Sequence, residues 1–224
     1  MSITALFLVC TAVPLAFGLW AQWRVKTVFE RYSRVAPRNG MTGAQAAAAV
    51  LRTSGLPDLE IRGVAGQLSD HYDPRNRTLN LSADVGNGAS LAALGVAAHE
   101  AGHAIQDARR YLPMRVRQTL VPAATIGQSL WFLPVVLGLM MGITGLVNVG
   151  LILFAAIVLF QLVTLPVEFD ASRRALAALE SQGLLASDEI GGARAVLNAA
   201  ALTYVAGFVA ALGQLIYFFA LSRR

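Results

Sequence analysis

Cysteine is nearly absent from this chain: Cys10 is the only one in 224 residues, and it lies inside an apolar run. A disulfide framework is therefore excluded, and nothing marks an oxidising compartment. Lysine is just as scarce, with Lys26 alone, so the formal net charge of +5 comes almost wholly from arginine. The arginines flank apolar runs and form no basic stripe, which argues against a nucleic-acid partner and for orientation in a lipid bilayer. Histidine occurs only three times, at positions 71, 99 and 103. The first apolar run also lacks a basic stretch before it and a small-x-small cleavage pattern. It is expected to remain as an anchor and not to be removed as a signal peptide.

What is plentiful is apolar surface. Hydrophobic residues make up 56% of the chain, and the mean hydropathy is +0.57. That exceeds soluble globular usage and points to an integral membrane protein. A spanning helix needs about 20 mostly apolar residues. Residues 3–22 supply one such run within a first segment 1–23, with Trp20 and Trp23 placed as an interfacial belt. Runs at 119–141 and 146–166 are separated only by "GITG" and read as a transmembrane hairpin over 119–166. A fourth run spans 196–221.

The polar stretches between these runs carry their own patterns. Within 24–118, "MTGAQAAAAVLRTSG" reads as a short helix capped by Thr42 and followed by Gly55. "LEIRGV" and "TLNLSA" alternate as strands do, with "SDHYDPRNR" as a turn-rich loop between them. Ser90 is placed to cap a helix over 91–109. Arg24, Lys26 and Arg31 follow the first span; Arg109, Arg110, Arg115 and Arg117 precede the hairpin; Arg173 and Arg174 follow it. By the positive-inside rule, 24–118 and 167–195 both face the cytoplasm. Arg223 and Arg224 break the pattern if the fourth helix crosses fully, so that helix is alternatively tilted, partly inserted or re-entrant.

The chemistry is concentrated in "VAAHEAGHAIQ", residues 96–106. His99 and His103 are four apart and share one helix face, so together they can chelate one ion. Glu100, beside the first of them, is placed to take a proton from a water that zinc activates. A catalytic zinc usually has three protein ligands, so a third is needed. His71 lies upstream in "SDHYDP" and Glu168 downstream in "LPVEFDASRRA". Topology favours Glu168, because two crossings return the chain to the face it left. A carboxylate at a membrane boundary is also costly without a role, although an ion pair with Arg173 or Arg174 would account for it.

Four segments taken in order, "DHYDPRNRTLNLS", "GVAAHEAGHAIQDARRYLPMRVR", "FQLVTLPVEFDASRRAL" and "AALTYVAG", resemble a bacterial family of membrane-bound neutral zinc metallopeptidases. More distantly the plan is similar to the membrane gluzincins, which include the CAAX-prenyl proteases and the bacterial heat-shock membrane protease. The resemblance implies one zinc per chain on His99, His103 and Glu168, with Glu100 as general base. The implied fold is a mainly α integral membrane protein: about four transmembrane helices and a small cytoplasmic α+β zincin-like region. The distant relatives carry an aspartate four residues after the ligand glutamate, where this chain has Ser172. Ser172 falls on the ligand face and Asp170 away from it, while Asp107, four residues after His103, is a candidate replacement for orienting an imidazole.

The other polar candidates are less specific. His71 is a candidate for stabilising the oxyanion, as are Tyr72 and Tyr204, or it simply braces the "HYDP" turn. "RTLNLSA" is a candidate edge strand for an extended substrate. Asn148, Gln161 and Gln214 suit interhelical hydrogen bonds. The function expected is zinc-dependent endopeptidase action on peptides or membrane proteins at the cytoplasmic face of a bacterial inner membrane. Two alternatives stand beside it: an intramembrane zinc protease, for which 91–109 holds too few large apolar residues, and a non-proteolytic metal-binding membrane scaffold, which would not need Glu100.

Overall fold

The computed structural model describes residues 2–223. In chain order it contains α1 (Ile3–Phe7), a π-helical stretch (Leu8–Ala12), α2 (Val13–Tyr32), α3 (Gly43–Thr53), β1 (Glu60–Val64), β2 (His71–Asp73) and β3 (Thr78–Ser82). Then come α4 (Ala83–Gly86), α5 (Leu91–Ala108), α6 (Leu112–Leu130), α7 (Phe132–Met141), α8 (Thr144–Ser181) and α9 (Ile190–Ser222). Three helical stretches are long and apolar enough to cross a membrane, or four if the bent pair α6 and α7 is one span. The chain divides into two compact units.

One unit comprises the chain up to Gln22, Leu112–Pro166 and Leu202 onward. Its helices follow from long apolar runs, which in hydrocarbon must satisfy every backbone group internally. Phe154, Val158 and Ala211 form a small core, with Trp131, Ile157, Phe208 and Leu215 packed around it. Small residues set how closely the backbones approach: a Cβ on Gly127 would lie 2.5 Å from the Leu153 carbonyl oxygen. Proline accounts for two irregularities. Pro14 cannot return a hydrogen bond to the carbonyl of Cys10, and the π-helical stretch lies just before it. The 119–141 run, expected as one helix, is broken at Trp131 by a 41° bend. Pro134 is the cause, since its ring meets the carbonyl four residues back, at Leu130, where α6 ends.

The other unit comprises Trp23–Tyr111 and Val167–Ala201. α3 begins with a capping box, in which Thr42 accepts from the Gln45 N–H while the Gln45 side chain accepts from the Thr42 N–H. The sheet order is β1-β3-β2, with β1 parallel to β3 and β2 antiparallel to it. Two expectations are corrected here. "SDHYDPRNR" is not all loop: it carries β2 and a tight turn in which Asp73 accepts from the Arg75 N–H (2.8 Å) and Asn76 Nδ2 (2.7 Å). β3, "TLNLS", is the central strand and buried at every position, so the sheet edges are β1 and β2.

The polar segment after the third apolar run belongs to this unit from Val167, and its start is helical. α8 continues through it to Ser181, because Glu, Arg and Ala are strong helix formers and polarity alone does not end a helix. α9 likewise starts at Ile190, before the apolar run proper. α5 is capped by Ser90, whose hydroxyl accepts from the Ala93 N–H at 3.1 Å, and is buried along most of its length. A Cβ on Gly102 would stand 2.7 Å from the Ala171 carbonyl oxygen, so glycine there permits α5 and the 167–181 part of α8 to touch. That contact positions the candidate site.

Candidate metal centre

The helical repeat of α5 sets His99 and His103 one above the other, with ring centroids 4.7 Å apart and the planes nearly perpendicular. Glu168, near the start of the α8 segment that meets Gly102, brings Oε2 to 3.3 Å from His99 Nε2 and 3.5 Å from His103 Nε2. One ligand atom from each of the three residues lies within 4.8 Å of the other two. Ligands about 2.0–2.1 Å from a tetrahedral zinc sit about 3.3 Å from one another, so the spacing suits that ion. The charge balance suits it too. Glu100 and Glu168 place two buried carboxylates in one cluster, and a divalent cation offsets a desolvation cost that neutral imidazoles cannot.

The outer ring nitrogens face protein. His99 Nδ1 lies 3.1 Å from Ser172 Oγ, and His103 Nδ1 lies 3.0 Å from Gln106 Oε1. Both Nε2 atoms face Glu168 Oε2, and each Nδ1 has a protein partner, as is usual for a metal-ligating histidine. Glu100 is buried, and its Oε2 accepts from the Tyr72 backbone N–H at 3.1 Å. Burial pushes its carboxyl above the ordinary value, against the pull of His99 and His103. β2 thus supplies the strand that holds Glu100. Tyr72 is itself held by its hydroxyl, which donates to Asp107 Oδ2 at 2.9 Å. Burial, followed by that bond, raises the phenol so that it stays a donor.

The structure thus brings together His99, Glu100, His103, Glu168 and Ser172 of the residues singled out in the sequence. Asp107 was expected to orient an imidazole, but it accepts from Tyr72, and the partner of His103 Nδ1 is Gln106. His71 is exposed on β2, and its Nδ1 donates to the Ser69 carbonyl at 2.8 Å, a brace for the turn. Tyr204 belongs to α9, in the other unit. Asp170 was read as lying away from the ligand face, yet it reaches the site through Gln106, whose Nε2 donates to Asp170 Oδ2 at 3.0 Å. Gln106 was missed outright. Its only signal in the sequence is its place three residues after His103, on the same side of the helix.

A family model described as "Putative neutral zinc metallopeptidase" matches residues 7–223. Over 213 residues, 95% of each chain, the sequence is 42% identical to the "Putative membrane protease YugP" of Bacillus subtilis (strain 168). No solved structure matches the chain.

Proposed function

Because the chain belongs to the family described as "Putative neutral zinc metallopeptidase", we propose that it is a membrane-bound zinc endopeptidase whose metal is held by His99, His103 and Glu168. The observation that carries this reading is the convergence of two Nε2 atoms and one carboxylate oxygen at 3.3 and 3.5 Å, with Glu100 next to the first ligand. Zinc, when bound by three protein ligands, supplies a Lewis acid and brings the pKa of a water to about 7. Glu100 is the general base: it takes the proton of the attacking water and delivers it to the leaving amine. The Tyr72 N–H holds one of its oxygens and leaves the other for the water. Glu168 and the two histidines orient and hold; they transfer no proton.

The arginines that flank the apolar helices support a cytoplasmic site on the cell membrane of a bacterium, with the long apolar helices as anchor. Substrates at such a site are peptides or membrane proteins presented near the bilayer. The test is cleavage of fluorescently labelled casein by the detergent-purified protein and by Glu100→Gln. General acid–base catalysis contributes about 10²–10⁴-fold, so the variant should lose that much turnover while keeping its metal. Equal turnover by the two proteins would overturn the assignment of Glu100.

A further inference from the structure

We propose that Gln106 is a positioning residue of the metal centre: it locks His103 in the tautomer protonated at Nδ1 and clamps the helical turn that carries Glu168. The inference rests on the metal-centre reading above. A glutamine amide has two hydrogens to donate and one oxygen that only accepts. Both hydrogens of Gln106 are committed, Nε2 lying 2.8 Å from the Val167 carbonyl and 3.0 Å from Asp170 Oδ2. Neither partner can donate, because Asp170 is ion-paired with Arg173 and, at 2.5 Å, with Arg174 Nε. The amide therefore has one permitted orientation, and Oε1 faces His103 Nδ1 at 3.0 Å. An oxygen that only accepts demands a proton on Nδ1, so the neutral ring keeps its lone pair on Nε2. Flipping the amide would set its oxygen against two acceptors at a position with 0% exposure.

The other imidazole has no such lock. Ser172 Oγ, beside His99 Nδ1, can donate or accept, so it fixes the ring's position but not its tautomer. Gln106 also does what a lone acceptor could not. Val167 and Asp170 flank Glu168 in sequence, so one amide fastens the His103 helix to the turn bearing the third ligand. The ionic end of the relay, Arg174 and Arg173 on Asp170, keeps the carboxylate aimed at Gln106.

The test is cobalt binding by the full-length protein in detergent, read as absorption of the bound ion and as affinity by chelator competition. Wild type is compared with Gln106→Leu, Asp170→Ala and Asp170→Asn, and thermal unfolding of the metal-free proteins is the folding control. Loss of a partner that orients a metal-ligating histidine typically weakens binding about 10–100-fold. Gln106→Leu should fall in that range with an altered cobalt spectrum. Asp170→Asn, which keeps an acceptor for Gln106, should bind more tightly than Asp170→Ala. A merely structural Gln106 would lower metal-free stability and leave affinity and spectrum unchanged, which would overturn the proposal. If Gln106→Leu does not fold, equal affinities in the two Asp170 variants would overturn it instead. Wild type that binds no cobalt or zinc would sink the metal-centre reading itself; wild type that binds, with unaffected variants, would sink this inference alone.

Discussion

In the unit built from the chain up to Gln22, Leu112–Pro166 and Leu202 onward, apolar side chains stand outward: Met140 is 78% exposed and Ile152 71%. In the unit built from Trp23–Tyr111 and Val167–Ala201, Leu79, Leu81 and Leu94 are buried, as in a soluble protein. Among the described residues, the buried acids, Glu100, Glu168 and Asp170, all lie in this second unit. The two units thus differ in where they hold charge. The first presents apolar side chains to its surroundings and brings its backbones close together, as at Gly127. The second has a water-type core whose buried acids meet named groups: Glu100 the Tyr72 N–H, Glu168 the two imidazoles, and Asp170 Gln106 with Arg173 and Arg174.

The largest separation between the units should come from core truncation. Leu94→Ala in the second unit is expected to cost about 2–5 kcal/mol, because it leaves a cavity in a packed core. Leu133→Ala in the first, at a side chain 63% exposed, should shift detergent unfolding very little. Equal losses would break the comparison. A charge should then reverse the sensitivity. Ile152→Arg places arginine mid-span, a cost of about 2.5–3.5 kcal/mol on insertion scales, and should lower the yield of membrane-inserted protein. Leu68→Arg, at an exposed site of the second unit, should leave that yield unchanged. A smaller loss than that of Leu94→Ala is expected of Gly102→Ala. Its Cβ would press on the Ala171 carbonyl, at a cost of about 1–3 kcal/mol for overpacking. Because that contact also sets the distance from α5 to Glu168, zinc content should fall along with the unfolding temperature. Full retention of zinc would show that the helix approach does not set the site.

Much of this was legible in the sequence for stated reasons. Helical spacing alone places His99 above His103, and the even number of crossings was enough to favour Glu168 over His71. The structure brings that carboxylate to the two imidazoles. Caps at Thr42 and Ser90 are local chemistry, and they fall where the side chains predict. Strand order was not legible: "TLNLS" reads as a candidate edge strand, and its pairing with both β1 and β2 makes it central. The reach of α8 was hidden because the change from apolar to charged residues looks like an end and is not one. Gln106 was invisible because its importance lies in Val167 and Asp170, more than 60 residues away. A lone glutamine carries no mark of the company it will keep.

The central claim is that His99, His103 and Glu168 hold one zinc. It is tested most directly by the metal content of the detergent-purified protein, wild type against Glu168→Ala. About one zinc per chain is expected in the wild type and a marked loss in the variant, because one of three protein ligands is removed. A variant that kept its zinc, or a wild type that bound none after incubation with the metal, would contradict it.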